Sequence, residues 1–453
     1  MKIVFLTAGA AGMFCGSCMH DNALAAALIR AGHDCILQPL YTPIRTDATS
    51  VARDELFFGG IHIYLLQHAP WLAKLPRTLR RPLDFPPLVR WLTRRASAVD
   101  ARQLGDLTVS MLRGADGRQA DEAERLVDWL VAESPDLIVW SNLLIAGVVD
   151  AVAERLPDTE RIALVQGDDL FLDHLDADHR QRVIELVAEK ARRMDRLIVN
   201  SSAYAKTMAS KLGIAPETFE VHPLSIDVRT SGPVTSGPVT SGPVTEPDAD
   251  PPAGSSPGSS PGSSPGGEAW FDIGYMARIA PEKGLHVLMD AFIVAARDRP
   301  SLRLHIAGYL APHRLDYLNA QIDKAAAAGM ASRVIHHGEL DLAAKHQYLS
   351  RMDIVSVPTT YADPKGLFVL ESLSAGTPVV QPDHGSFGEL IASTGGGWLF
   401  PPGDGAALAE RFQHLHRNRD ELAAAVARAQ PRLADVHSID TAARRLVTSS
   451  ARR

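Results

Sequence analysis

The sequence predicts an α/β protein made of two doubly wound, parallel-sheet domains that face each other across a cleft. Strand-like runs of Val, Ile and Leu alternate with helical patterns, this alternation stops once at a low-complexity stretch, and then it resumes. Strands that are apolar on both faces are typical of a parallel sheet between two layers of helices. The 453 residues also exceed what one hydrophobic core usually supports.

The predicted strands set where functional residues are expected. The first half contains the runs KIVFLT, CILQPL, IHIYLL, DLIVW, RIALV and RLIVN, and the second half contains FDIGY, LRLHIA, VIHHG, DIVSV, PVVQP and WLF. Sheets of this kind bind their ligands at the carboxyl ends of the strands. We therefore expect the chemistry in the loops that follow these runs, on the two sides of one cleft.

Residues 229–267 are predicted to be a disordered linker. The segment repeats TSGPV three times and SSPG three times, and it contains no aromatic residue. It has too little apolar surface to offset the entropy lost on ordering. The predicted domains are therefore residues 1–228 and 268–453.

Charge and cysteine content exclude several classes of protein. A net charge of -7 and a pI near 6.2 argue against a nucleic-acid-binding protein, which normally presents a basic face. The three cysteines, Cys15, Cys18 and Cys35, are too few for a disulfide scaffold and favour the cytoplasm. No run reaches the ~18 apolar residues of a membrane-spanning helix.

A glycine-rich turn that includes Gly12 and Gly16 follows the first strand and precedes a helix. Glycines let backbone amides approach a ligand, and a helix N-terminus favours negative charge. The dinucleotide-binding spacing G-x-G-x-x-G is absent, so a purely structural turn explains the glycines equally well. Cys15 and Cys18 have the C-x-x-C spacing of a redox pair, a rival function, against the alternative of small buried packing residues.

Two cations follow the run FDIGY and precede an amphipathic helix: Arg278 and Lys283. A guanidinium is a planar fork for phosphate oxygens, and an ammonium is a compact point charge. Their place at the binding edge of the sheet predicts a phosphate site. The alternative is a solvated surface pair in which Glu282 neutralises Lys283.

Two carboxylates, Asp363 and Glu371, accompany the start of a later helix and are separated by eight positions, slightly more than two helical turns. Both therefore project to the same side. Carboxylates there accept hydrogen bonds from sugar and ribose hydroxyls, while the helix N-terminus faces phosphate. The alternative is that Asp363 only caps the helix and that Glu371 is exposed.

Taken together, these segments resemble the large retaining glycosyltransferase family of GT-B fold, whose members use nucleotide-sugar donors. The likeness is strongest in GYMARIAPEKG, LRLHIAG, RVIHHGEL, DIVSVPTTYADPKGLFVLESLSAGTPVV and HGSFGELI, and looser in LAAALIRAGHDC and ALVQGDD. It implies sugar transfer with retention, without a metal and without a cofactor other than the nucleotide-sugar co-substrate. The first domain would bind the acceptor, a saccharide, lipid-linked saccharide or small molecule, and the second would bind the donor.

The resemblance also implies residue roles. Arg278 and Lys283 would bind the donor diphosphate, Asp363 would contact the transferred sugar, and Glu371 would hold the ribose. Residues that would line the donor are Gly12, Gly16, Gln166, Gly366, Leu367 and Phe368.

Two positions depart from the family's usual pattern. Asp363 stands where the family usually has Glu, which shortens the side chain by one methylene, and Gln166 stands where it often has His near the reacting sugar. Gln166 retains the ability to hydrogen-bond a sugar hydroxyl. The departures keep two other hypotheses open, a nucleotide-sugar-binding protein without turnover and a sugar-nucleotide epimerase, although no acid–base pair for an epimerase is identified.

The stretch 71–95 gives a second prediction about location. It interleaves arginines with Trp71, Leu79 and Trp91, a pattern that suits an anionic membrane surface. This predicts peripheral contact with the inner face of the membrane. The alternative is an ordinary helix and loop whose Arg stems extend outward over apolar surface.

Overall fold

The computed structural model describes residues 1–9, 16–44, 46, 48–58, 101–228 and 268–450. Several sequence predictions lie outside these residues: the linker 229–267, the run IHIYLL, the stretch 71–95, and the residues Gly12 and Cys15.

Within the described residues, the first domain contains a sheet of six parallel strands in the order β2-β1-β3-β4-β5-β6. The strands are β1 (Lys2–Thr7), β2 (Asp34–Pro39), β3 (Leu137–Trp140), β4 (Glu160–Leu164), β5 (Arg196–Val199) and β6 (Phe219–Val221). The α-helices described between them are α1 (Gly16–Arg30), α2 (Ala101–Leu112), α3 (Ala120–Glu133), α4 (Val149–Arg155), α5 (Asp168–His174), α6 (Ala177–Ala191) and α7 (Ser202–Leu212).

The second domain contains another parallel six-stranded sheet, in the order β12-β11-β10-β7-β8-β9. Its strands are β7 (Phe271–Met276), β8 (Leu302–Ala307), β9 (Val334–Gly338), β10 (Ile354–Val355), β11 (Val379–Pro382) and β12 (Gly397–Phe400). Its helices are α8 (Leu285–Ala296), α9 (Leu315–Ala327), α10 (Leu342–Ser350), α11 (Leu367–Ser374), α12 (Phe387–Thr394), α13 (Gly405–Arg417) and α14 (Arg419–Val436), and α15 (Ile439–Ser450) follows.

Except for β6, the described strands form where apolar runs predicted them, because both faces of each sheet are covered. Ile3, Val4, Phe5 and Leu6 of β1 are completely buried, and so are all four residues of β3. A strand that contacts helices on both sides gains apolar burial at every position, which explains runs without alternation. The predicted fold class, two doubly wound parallel sheets, is therefore confirmed.

The chain passes between the two domains in a way that the sequence did not predict. Leu224 and Ile226 pack in the core of the second domain, whereas Ile439 and Leu446 of α15 pack in the core of the first. The Ile226 N–H donates to the His437 carbonyl at 2.9 Å, and the Ile439 N–H donates to the Ile226 carbonyl at 2.8 Å. The end of the predicted segment 268–453 is thus packed on the first domain rather than on the second.

Candidate active site

The turn after β7 is held against the loop after β10 by Gly284. This residue has φ +74°, and a Cβ added to it would lie 1.7 Å from the Pro358 carbonyl oxygen. Only glycine permits this approach. The Thr360 N–H also donates to the Glu282 carbonyl at 3.0 Å. The two loops are thereby joined, and Lys283 is brought beside the residues that follow Thr360.

The loop after β10 turns into α11 at Gly366, which has φ +66° and leaves no room for a Cβ because the Phe387 ring would be 2.8 Å away. Asp363 Oδ1 accepts hydrogen bonds from the N–H groups of Lys365, at 3.0 Å, and Gly366, at 3.1 Å. One oxygen of Asp363 therefore binds the turn that precedes α11, whereas the alternative expected Asp363 to cap the helix itself, whose N-cap residue is Gly366. The other oxygen points to the neighbouring loop.

Three side chains meet at that second oxygen and form what we call the Lys283–Tyr361–Asp363 cluster. Lys283 Nζ lies 2.7 Å from Asp363 Oδ2 and 2.6 Å from the Tyr361 hydroxyl, which itself donates to Asp363 Oδ2 at 3.0 Å. The ammonium is 5.0 Å from the centre of the Tyr361 ring, within the range of a cation–π contact.

The negative charge of Asp363 is stabilised by Lys283 and by the two backbone N–H groups that donate to it. The side chain of Asp363 is 6% exposed and that of Lys283 is 17% exposed. Burial alone would raise the pKa of Asp363, but the charge and hydrogen bond of Lys283, with the two backbone amides, lower it to about 2. The carboxylate is therefore ionised at neutral pH.

Arg278 is not paired with Asp363. Its guanidinium Nη2 lies 2.7 Å from Glu282 Oε1, and the two side chains are 51% and 38% exposed. The alternative in which Glu282 neutralises Lys283 is thus wrong, because Glu282 pairs with Arg278 and Lys283 pairs with Asp363. An exposed pair contributes little stability, so the Arg278 guanidinium is readily released to another anion.

Glu371 lies on the second turn of α11 and pairs with Lys345 of α10. Lys345 Nζ is 2.7 Å from Glu371 Oε1, and the side chains are 9% and 19% exposed. Both residues, together with Leu367, line a cavity of about 340 Å³ between α1 and the helices α10 and α11. This volume is in the range of small-molecule sites.

The remaining donor-lining candidates of the second domain lie at the start of α11. Gly366 is the N-cap residue of that helix, and Leu367 is its first residue. Phe368 is buried, and its ring centre is 5.7 Å from that of Phe387. The Phe368 side chain therefore belongs to the core, so that only its backbone could line a ligand.

The first domain meets the second at the start of α11. A Cβ on Gly16, the first residue of α1, would lie 3.9 Å from Leu367 Cδ2. Lys365 Nζ donates a hydrogen bond to Ser17 Oγ across the interface. The N-terminus of α1 thus faces the N-terminus of α11, and the role of Gly16 beside a bound donor stays a prediction.

Gln166 lies in a buried polar network at the carboxyl edge of the first sheet. Its Nε2 donates to Asp21 Oδ1 and to the Ser141 carbonyl, each at 2.9 Å. Asp21 Oδ2 accepts a further bond from the Thr7 hydroxyl at 3.0 Å. Both amide hydrogens of Gln166 are used within the protein, so a sugar hydroxyl would reach it only as a donor to its Oε1.

Sequence reasoning missed three residues of this region, Tyr361, Lys365 and Asp168. Burial raises the pKa of Asp168 to about 7, against the opposing effects of the Leu143 N–H and the Lys365 charge. Tyr361 and Lys365 flank Asp363 in the segment TYADPKG. Their position beside a predicted ligand residue was the signal that could have found them.

The described residues contain neither a metal-binding cluster nor a membrane-spanning helix. No group of three or more His, Cys, Asp or Glu side chains there is arranged to hold a metal ion. No helix within that part of the chain is long and apolar enough to cross a bilayer. Cys18 is buried, and since Cys15 lies outside the described residues the redox hypothesis stays a prediction.

The architecture matches solved structures over the whole chain. Anabaena HepE, solved in complex with UDP, aligns with a TM-score of 0.66 and 17% identity over 100% of both chains. At this identity the likeness shows the fold alone. Together with the two six-stranded sheets it defines the class of this protein, a two-domain Rossmann-like protein of GT-B fold.

The family comparison concerns the second domain. Residues 268–432 match the family model described as Glycosyl transferases group 1. A stretch of 138 residues, 30% of this chain, is 30% identical to 35% of the phosphatidyl-myo-inositol mannosyltransferase of Mycobacterium leprae (strain TN). Another of 176 residues, 38% of this chain, is 28% identical to 49% of the lipopolysaccharide core biosynthesis mannosyltransferase LpsB of Rhizobium meliloti (strain 1021). The matched regions thus span about a third to a half of these relatives.

Proposed function

We propose that this protein is a glycosyltransferase that moves a sugar from a nucleotide-diphosphate donor to an acceptor hydroxyl, with retention of anomeric configuration and without a metal ion. The observation that carries the proposal is the Lys283–Tyr361–Asp363 cluster at the start of α11, facing the first domain. The match to Glycosyl transferases group 1 covers the same residues and supports it.

The cluster suits the charge that develops in this reaction. As the glycosidic bond breaks, the departing diphosphate gains negative charge. The positive groups at this edge include Lys283, the guanidinium of Arg278 and the N–H groups in the first turn of α11. Charges that are in place before the bond breaks stabilise the transition state without further reorganisation. We propose that these groups take the role that a metal ion has in other enzymes.

The rest of the donor would lie along α11. Asp363 would accept a hydrogen bond from the transferred sugar, and Glu371 would accept one from the ribose, since it lines the cavity between α1 and α11. The backbone at Gly366, Leu367 and Phe368 would follow the sugar and phosphates.

We propose a saccharide or a lipid-linked saccharide as the acceptor, in line with the names of the two mannosyltransferase relatives. For the same reason we keep the prediction that the stretch 71–95 contacts an anionic membrane surface on the cytoplasmic side. Sedimentation with anionic and neutral vesicles tests it, and equal recovery with both would contradict the contact.

The function is tested by incubating the purified chain with UDP-glucose, UDP-galactose and GDP-mannose and measuring the release of nucleoside diphosphate. We expect release with one of these donors, unchanged in EDTA, and NMR of the product should show a retained anomeric configuration. Loss of turnover in EDTA would contradict the metal-free mechanism. Binding without any release would favour a nucleotide-sugar-binding protein, and interconversion of the UDP-sugars would favour an epimerase.

A further inference from the structure

Asp363 has four hydrogen-bond donors around its two oxygens. The N–H groups of Lys365 and Gly366 donate to Oδ1, and Lys283 Nζ and the Tyr361 hydroxyl donate to Oδ2. An ionised carboxylate offers about four acceptor positions in total. A sugar hydroxyl can therefore bind Asp363 only when one of these donors leaves.

The four donors differ in how easily they leave. The two N–H groups belong to the backbone of the turn that Gly366 fixes at φ +66°. Lys283 Nζ ends a flexible four-carbon chain, and a diphosphate offers it more negative charge than a single carboxylate. Lys283 is thus the donor that a bound nucleotide sugar removes.

Tyr361 is held more firmly than Lys283. Its carbonyl accepts a hydrogen bond from the Thr359 hydroxyl at 3.0 Å, and Thr359 itself is 1% exposed. The next residue along from Thr359, Thr360, donates its N–H to the Glu282 carbonyl. The backbone of Tyr361 is therefore fixed to the turn that carries Lys283, and a neutral hydroxyl has no charge for a diphosphate to attract.

We propose that Tyr361 is a positioning and specificity-determining residue, which keeps its bond to Asp363 Oδ2 when the diphosphate takes Lys283 and so leaves Asp363 a single position for one sugar hydroxyl. The inference rests on the proposed function. It predicts that Asp363 recognises one hydroxyl of the transferred sugar. Without the Tyr361 hydroxyl, Asp363 Oδ2 has two open positions and can bind two adjacent hydroxyls.

The experiment compares kcat/KM for the active donor of the panel and for its 2-, 3-, 4- and 6-deoxy analogues, in the unaltered protein and in Tyr361→Phe. In the unaltered protein, we expect removal of one hydroxyl of the donor sugar to lower kcat/KM by at least about tenfold. In Asp363→Asn, removal of the same hydroxyl should no longer lower kcat/KM. In Tyr361→Phe we expect two adjacent sensitive positions. The matched control is Tyr348→Phe, which loses bonds to the Tyr275 and His305 carbonyls. It should lower the melting temperature and leave the deoxy profile unchanged.

Each outcome decides the proposal. An identical deoxy profile in Tyr361→Phe and in the unaltered protein overturns the role of Tyr361 and leaves the glycosyltransferase function in place. If Tyr361→Phe does not fold, the comparison of unaltered protein with Asp363→Asn still decides, because two Asp363-dependent positions in the unaltered protein contradict a single open position. Failure to bind or turn over every donor overturns the function and the inference together.

Discussion

Replacing Lys283 by Ala tests both the structure of the cluster and its function. The substitution removes the ammonium from a carboxylate whose side chain is 6% exposed. The pKa of Asp363 is lowered from 3.8 to about 2, and Lys283 is the largest of the causes that lower it. At about 1.4 kcal/mol per pKa unit, this net lowering corresponds to ~2 kcal/mol of stabilisation of the charged carboxylate at neutral pH, left after the donors have offset the opposing effect of burial.

We therefore expect Lys283→Ala to lower the free energy of unfolding by about 2 kcal/mol. This is less than the ~3–5 kcal/mol typical of a broken buried pair, because Tyr361 and two backbone amides still bond to Asp363. The effect on catalysis should be larger. Loss of one preorganised charge next to a departing diphosphate costs on the order of 3 kcal/mol, about a hundredfold in kcat.

The assay is kcat and KM on the active donor together with urea unfolding of the same preparation. Lys324→Ala is the matched control, since Lys324 pairs with Asp290 at 2.7 Å on an exposed surface, with side chains 42% and 55% exposed. It should change stability by less than about 1 kcal/mol and leave turnover unaltered. Turnover of Lys283→Ala within twofold of the unaltered protein would refute the assignment of Lys283 to the diphosphate.

Four other changes have definite expected outcomes. Arg278→Lys should lower kcat/KM by about tenfold or more, since a point charge does not replace a fork, while an unchanged melting temperature is expected from its exposed pair with Glu282; unchanged kinetics would contradict this. Glu371→Gln should raise the donor KM and retain kcat in steady-state assays, and a fall in kcat alone would count against ribose binding. Because the folded-state pKa of Asp363 is lowered, the stability that its charge contributes is present at neutral pH and is lost as pH falls from about 4 towards 2. Urea unfolding at a series of pH values should show this loss of stability in the unaltered protein, and the loss should be absent from Asp363→Asn. Deleting residues 231–264 should shift the melting temperature only slightly, since changes in loop length cost little, and a large drop would contradict the linker prediction.

The fold could be predicted from the sequence because each buried parallel strand is a continuous apolar run. Strand β6 (Phe219–Val221) was missed since its three residues are buried, half-buried and exposed, which gives no readable pattern. The packing of α15 on the first domain was missed because an amphipathic helix does not indicate which sheet it covers.

The site was predictable in part because carboxyl ends of parallel strands converge. This principle brings together Lys283, which follows β7, and Asp363, which follows β10. The partner of Glu282 was mistaken because neighbours in sequence were taken as neighbours in space, whereas Arg278 and Glu282 are four positions apart. Tyr361 was missed because it is an uncharged residue in an irregular loop, where its position near Asp363 was the one indication of a role.

The two passages of the chain between the domains constrain how the cleft can open. A single flexible connection would allow one domain to rotate relative to the other about any axis. Here the segment at Ile226 and the segment at 437–439 run side by side and are hydrogen-bonded to each other. Two adjacent connections that are hydrogen-bonded to each other resist twisting of one domain relative to the other and favour rotation about a single axis. Such a connection restricts the directions in which α1, with Gly16, can move relative to α11, with Leu367.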